Sequence, residues 1–147
     1  LYFPATREEE HAIDREAVSA DLLMGHGESI LVVDDVQEQR ELAVSMLTRL
    51  GYRAEAVSGG EETLNYLKTN KADLILLDMI MDPGMDGLET YRRILDSIPR
   101  QKAVIVSGFS ETDRVRKAQE LGAGAYVRKP YVLEKIGAAI RQELDKQ

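Results

Sequence analysis

The sequence predicts an α/β domain built on a five-stranded parallel sheet, wound on both faces by helices. Three observations carry this. Five short strand-like segments, at 30–33, 53–57, 74–77, 103–106 and 125–127, alternate with stretches of helical spacing at about 38–50, 60–69, 88–97, 111–121 and 133–146. The run Leu74-Ile75-Leu76-Leu77 is apolar at every position, which suits a parallel strand buried on both faces better than a half-exposed antiparallel one. Gly51, Gly122 and Gly124 stand where helices should end, because glycine tolerates left-handed dihedrals. Strands and helices alternating at these lengths imply right-handed crossovers, hence a sheet with helices on both sides.

Length and composition bound what such a domain can be. The 147 residues leave room for one domain of ordinary size plus a tail. A domain of about 120 residues buries roughly two thirds of its unfolded surface, so it needs no staples. There is no cysteine, which excludes disulfides and thiolate metal sites. No apolar run approaches the roughly 20 residues that cross a bilayer, and no signal-peptide pattern opens the chain, so direct membrane contact is not expected. Of the net charge of −7, residues 6–28 carry −5 and the remainder only −2. A nearly neutral, mildly acidic domain lacks the basic face that displaces counterions from nucleic acid, and DNA is not an expected partner.

The first 28 residues read differently from the rest. Leu1-Tyr2-Phe3-Pro4 has the character of a strand end, since proline after an aromatic pair stops a ladder. Residues 6–24 place charges and small apolar side chains at loosely helical spacing, closed by Gly25-His26-Gly27. We take this segment as a helical linker; a disordered acidic tether is the alternative. His11 could be a phosphodonor, but a lone histidine among charges is ordinarily a solvated side chain, and His26 has no evident role.

The chemistry gathers at the strand ends. Asp34 and Asp35 follow the first strand, Asp78 the third, Ser107 the fourth and Lys129 the fifth. In open α/β sheets ligands bind at the carboxyl edge, and there three acids would share one crevice. Carboxylates that close repel unless a cation intervenes, which predicts a hard divalent ion, most simply Mg²⁺, held by oxygens. Pro130 keeps Lys129 out of helical conformations, and Ser107-Gly108 offers a hydroxyl beside a residue without a side chain. A cation site, a carboxylate nucleophile, a hydroxyl and an ammonium are the parts that position and neutralise a phosphoryl group. Singly, each has a plainer role. Asp34 or Asp35 could cap the next helix, Ser107 could bond to backbone, Lys129 could be a surface lysine, and Tyr126 and Met81 could be packing residues.

Taken together, Val33-Asp34-Asp35, Leu77-Asp78-Met79-Ile80-Met81, Asp86-Gly87, Val106-Ser107-Gly108 and Tyr126-Val127-Arg128-Lys129-Pro130 resemble the receiver domains of two-component response regulators, in the family's order and over about residues 29–147. The resemblance implies a flavodoxin-like (βα)₅ fold in which Asp78 takes a phosphoryl group from a phosphohistidine. It further implies that Asp34, Asp35, Asp78 and the backbone carbonyl of Ile80 hold Mg²⁺, and that Ser107 and Lys129 contact the phosphate. Ser107 and Tyr126 match the family's switch pair. Such a domain catalyses its own phosphorylation and slow dephosphorylation; Ile80 and Phe109 occupy positions that tune the lifetime, and neither apolar side chain can orient an attacking water. The implied partners are a histidine kinase or a histidine phosphotransfer domain, in the cytoplasm.

One departure is visible. Between Met81 and Met85 the chain reads Asp82-Pro83-Gly84, one residue longer than the family's usual pattern, and Asp82 is best taken as an outward bulge. A weaker resemblance links Leu1-Tyr2-Phe3-Pro4 to the closing strand of a histidine kinase's ATP-binding domain. With the missing initial methionine, it suggests the C-terminal receiver of a hybrid sensor histidine kinase, acting with the kinase core of its own chain; a free-standing receiver is the alternative. Among other classes, an aspartate-nucleophile phosphohydrolase would want an acid where Ile80 stands. A nucleotide-binding domain would want a glycine-rich loop opening a helix, and none is present. A phosphorylation-independent interaction module could use Arg114, Arg116, Lys117 and Arg128.

Overall fold

The computed structural model describes residues 23–81, 84–108 and 113–146. The strand-like residues 1–4, most of the linker with His11, and the positions of Asp82 and Phe109 lie outside the described residues. Ten elements follow in strict alternation: β1 (Ser29–Val33), α1 (Gln37–Arg49), β2 (Arg53–Val57), α2 (Gly60–Thr69), β3 (Leu74–Asp78), α3 (Gly87–Ser97), β4 (Ala103–Ser107), α4 (Asp113–Glu120), β5 (Tyr126–Arg128) and α5 (Leu133–Leu144). The strands form one sheet in the order β2-β1-β3-β4-β5, and every neighbouring pair is parallel. This is the doubly wound (βα)₅ sheet that the alternation implies.

Two boundaries differ from the sequence expectation in a way that matters. Asp78 and Ser107 are the last residues of β3 and β4 rather than the first residues beyond them, because the parallel ladder continues past the apolar runs. Met79 N–H reaches Val106 O at 2.9 Å, and Lys129 N–H reaches Ser107 O at 2.8 Å. The fifth strand covers residues 126–128, not 125–127, since its register opposite β4 begins with Tyr126 against Ile105.

Alternation along each strand divides the apolar residues into two cores. Ile30, Val32, Leu74, Leu76, Val104 and Val106 face α1 and α5, where they meet Leu47, Ile136 and Ile140. Leu31, Val33, Ile75, Leu77 and Ile105 face the other way, onto Leu88, Tyr91, Ile94 and Val115 of α3 and α4. Burial on both faces is why β3 and β4 carry no exposed position, whereas β2, at the edge, exposes Arg53, Glu55 and Ala56.

The end of the expected linker belongs to this packing. Leu23 and Met24 lie partly buried against the first core. Gly25 N–H donates to Leu50 O at 2.6 Å, and Gly27 N–H to Gly51 O at 3.0 Å. Arg141 of α5 then pairs with Glu28 at 2.7 Å and with Asp145 at 2.6 Å, fastening the entering chain to the last helix. Burial disfavours the Glu28 carboxylate, but Arg141 and the His26 N–H outweigh that and hold its pKa below the ordinary value.

At the opposite end of the sheet α3 starts in close contact with β3. Asp86 caps α3 by accepting from Glu89 N–H at 3.0 Å, and Gly87 N–H donates to Met79 O at 3.0 Å. A side chain on Gly87 would place Cβ 2.5 Å from Asp78 O and 2.8 Å from Met79 Cα, both backbone atoms. Gly87→Ala must therefore push the loop away from the strand end, and we expect a loss of about 1–3 kcal/mol in stability by urea unfolding. An unchanged midpoint would mean that the contact relaxes freely.

Candidate phosphoryl-transfer site

The sheet order places the chemistry. The chain leaves β1 for β2 on one side, then returns across to β3, so β1 and β3 are neighbours whose connections run in opposite directions. A crevice opens at such a switch point. Val33 is level with Leu77, so Asp34 and Asp78 arrive side by side. On the other flank Asp78 is level with Val106 and Ser107 with Arg128, which brings Ser107 and Lys129 to the same edge.

Asp34 and Asp78 are buried, with 0% and 5% of their surfaces exposed. Two carboxylates in so little water need compensation. Lys129 supplies it: its Nζ lies 2.6 Å from Asp34 Oδ2 and 3.3 Å from Asp78 Oδ2. Each acid also takes a local N–H, from Val36 to Asp34 Oδ1 at 2.9 Å and from Ile80 to Asp78 Oδ1 at 3.3 Å. The cap of α1 is Val36 itself, which carries no capping side chain, so Asp34 shapes the turn before the helix and is not its cap. Asp35 is only partly buried. One oxygen from each of Asp34, Asp35 and Asp78 lies within 4.8 Å of the others, a cluster of hard donors that fits a divalent cation such as Mg²⁺.

Ser107 is buried at the end of β4. Tyr126 is partly buried and packs against the second core, on the same face as Ile105. Ile80 is 49% exposed at the rim, and Met81 is a core residue, as its plainer reading had it. Phe109 is beyond the described residues. Of the basic side chains proposed for an interaction face, Arg114 pairs with Asp86 and Arg116 with Asp113, so part of that charge is neutralised within the domain.

Two contributors escape the sequence reading. Arg40 donates from Nη1 to the backbone oxygen of Asp34 at 2.8 Å, bracing the turn that carries both acids. Its place one turn into α1, six residues after Asp34, was the available signal. Tyr131 is 7% exposed; its hydroxyl lies 3.5 Å from Asp34 Oδ2 and its ring centroid 5.8 Å from Lys129 Nζ. Burial first, then the charges of Asp34 and Asp78, push its pKa well above the ordinary tyrosine value, so the hydroxyl keeps its proton. Its only hint was position, directly after Lys129-Pro130.

The family model for the response regulator receiver domain matches residues 30–141. The chain belongs to that family. Among its relatives, sporulation initiation phosphotransferase F of Bacillus subtilis is 32% identical, over 80% of this chain and 94% of its own length. Response regulator MprA of a Mycobacterium species is 36% identical over 76% of this chain; the match spans 48% of that protein. A CheY-like receiver domain protein from Methanospirillum hungatei superposes with a TM-score of 0.75 at 26% identity, covering 81% of this chain and 94% of its own. The receiver fold read from the strand-end motifs is therefore the fold of the family. Among the described residues, no helix is long and apolar enough to cross a membrane.

The electrostatics of this receiver yield a pH signature. Burial, the largest influence, raises the Asp78 pKa; Lys129 opposes it and Asp34 adds to it, and the outcome is a shift from 3.8 to about 6. Without a divalent ion, between about pH 4 and about pH 6, the native state thus holds a proton that the unfolded chain has released. Stability therefore falls as pH rises from about 4 to about 6, by at most roughly 3 kcal/mol. Asp78→Asn removes this dependence. In chelator the variant should be more stable than wild type at neutral pH, with the advantage gone near pH ~4. Urea unfolding across that range measures it, and a difference independent of pH would contradict burial as the cause.

Proposed function

We propose that Asp78 accepts a phosphoryl group from a phosphohistidine on a histidine kinase or histidine phosphotransfer domain, in a Mg²⁺-dependent reaction. The observation that carries this reading is the Lys129 ammonium set between Asp34 and Asp78, at the edge where three carboxylate oxygens lie within 4.8 Å of each other. Asp34, Asp35, Asp78 and the Ile80 carbonyl would hold Mg²⁺, whose charge offsets the repulsion between the acids and an incoming phosphoryl group. An Asp78 carboxylate oxygen attacks phosphorus and forms an O–P bond as the N–P bond breaks. The electron pair of that bond returns to the imidazole nitrogen, so no proton need leave Asp78. Lys129 and the Ser107 hydroxyl then stabilise the phosphoryl oxygens, largely by position and charge. Movement of Ser107 toward the phosphoryl group, followed by Tyr126, would convert occupancy into a change of surface.

The test is intact mass after incubation with acetyl phosphate and Mg²⁺. Wild type should gain one phosphoryl group; Asp78→Asn and chelated wild type should gain none. Failure of wild type to gain it would favour the second reading, a phosphorylation-independent interaction module, for which the unneutralised remainder of the Arg114, Arg116, Lys117 and Arg128 cluster is the candidate face. The hybrid sensor histidine kinase remains our reading of the parent chain, supported by the resemblance at residues 1–4 alone.

The acyl phosphate should be long-lived. Ile80 stands at the rim, 49% exposed, where an apolar side chain cannot orient water, and Phe109 offers no polar group either. Ile80→Asn supplies an amide at that rim and should shorten the phosphoryl half-life several-fold, less than the roughly 10²–10⁴-fold that a positioned proton-transfer group contributes. Decay of the mass adduct after removal of acetyl phosphate reads this directly, and an unaltered half-life would reject the role given to Ile80.

A further inference from the structure

Asp34 is fully buried, and its Oδ2 depends on Lys129 for its close donor, at 2.6 Å. Lys129 is also the group that must serve the phosphoryl oxygens once Asp78 is modified. These two duties conflict. A phosphoryl group on Asp78 draws the ammonium away from Asp34, and a buried carboxylate oxygen that loses its donor is costly to leave unpaired.

Tyr131 stands where the conflict can be relieved. Its hydroxyl faces the same Oδ2 at 3.5 Å, well outside the 2.7–2.8 Å of a strong O–H···O bond, as suits a donor second in line behind an ammonium. Its ring lies 5.8 Å from the Lys129 Nζ, within the range in which an aromatic face attracts a cation along its path. The side chain is buried and follows Lys129 by two residues, so the two move on one short segment. We infer that Tyr131 is a positioning residue of the transfer site, whose hydroxyl takes over Asp34 Oδ2 as Lys129 turns to the phosphoryl group. This rests on the reading of Asp78 as the phosphoryl acceptor. It gives the residue after Lys129-Pro130 a part in the reaction that a phenylalanine of the same shape could not play.

Tyr131→Phe removes the hydroxyl and keeps the ring, so the fold should be retained. Two measurements test it. In a double-mutant cycle of folding stability at neutral pH without divalent ion, Tyr131→Phe should have little effect alone. In a Lys129→Met background, where the hydroxyl is the remaining side-chain donor seen at Oδ2, it should raise the unfolding equilibrium constant roughly two- to ten-fold further. Additive effects would overturn the proposal. Phosphorylation by acetyl phosphate at saturating Mg²⁺ should slow by a similar factor in Tyr131→Phe, with the Mg²⁺ affinity from calorimetry unchanged within about two-fold. An unchanged rate, or a loss accounted for by weaker Mg²⁺ binding, would also overturn it. If wild type takes up no phosphoryl group at all, the receiver reading of Asp78 fails and the transfer role of Tyr131 falls with it; the cycle alone then reports the hydroxyl's contact with Asp34.

Discussion

Asp34 and Asp78 can lie buried side by side at the end of the sheet because Lys129 reaches between them, 2.6 Å from one and 3.3 Å from the other. One ammonium facing two carboxylates leaves the pair short of positive charge, and Asp35 beside them deepens the deficit. Three acids this close make a set of hard donors that fits a divalent cation. The raised pKa of Asp78 expresses the same deficit in protons: burial makes its charge expensive, and Lys129 offsets only part of that. Asp34, nearer the ammonium and tied by Val36 as well, is the better compensated of the two.

Everything that surrounds this cluster keeps it in place. Parallel pairing levels Asp34 with Asp78 and carries Ser107 and Lys129 to the same edge. Two apolar cores grip the sheet from both faces, so the strand ends have little freedom to slide. Gly87 lets α3 begin against the backbone of Asp78 and Met79, and Arg40 braces the turn after β1 from outside. At the far end of the sheet, Arg141 ties the entering chain at Glu28 to α5, the helix that starts just after Tyr131.

The family comparison covers the segment that carries the site, and the geometry describes the site itself. Similarity over residues 30–141 establishes the receiver fold. The distances among Asp34, Asp78 and Lys129 give the physical ground on which a transfer role for them can be argued and tested. The supporting groups here include a tyrosine whose hydroxyl faces the buried acid.

The sequence by itself determined the alternation of strands and helices, because periodicity and glycine punctuation are local properties. It also determined that Asp34, Asp35, Asp78, Ser107 and Lys129 stand at or just beyond strand ends, since each lies at or close after an apolar run. Parallel topology then places strand ends at one edge, so the list of candidate residues could be written without coordinates. Tertiary structure decided the rest. Only the strand order and register made β1 and β3 neighbours and levelled their acids. Only packing revealed that Asp34 is wholly buried while Asp35 is not, that residues 23–28 join the domain, and that Gly87 is required by close approach. Arg40 and Tyr131 had only their positions to suggest them for the same reason: their contacts depend on how a helix and a loop fold back over a strand end, and no local pattern encodes that distance.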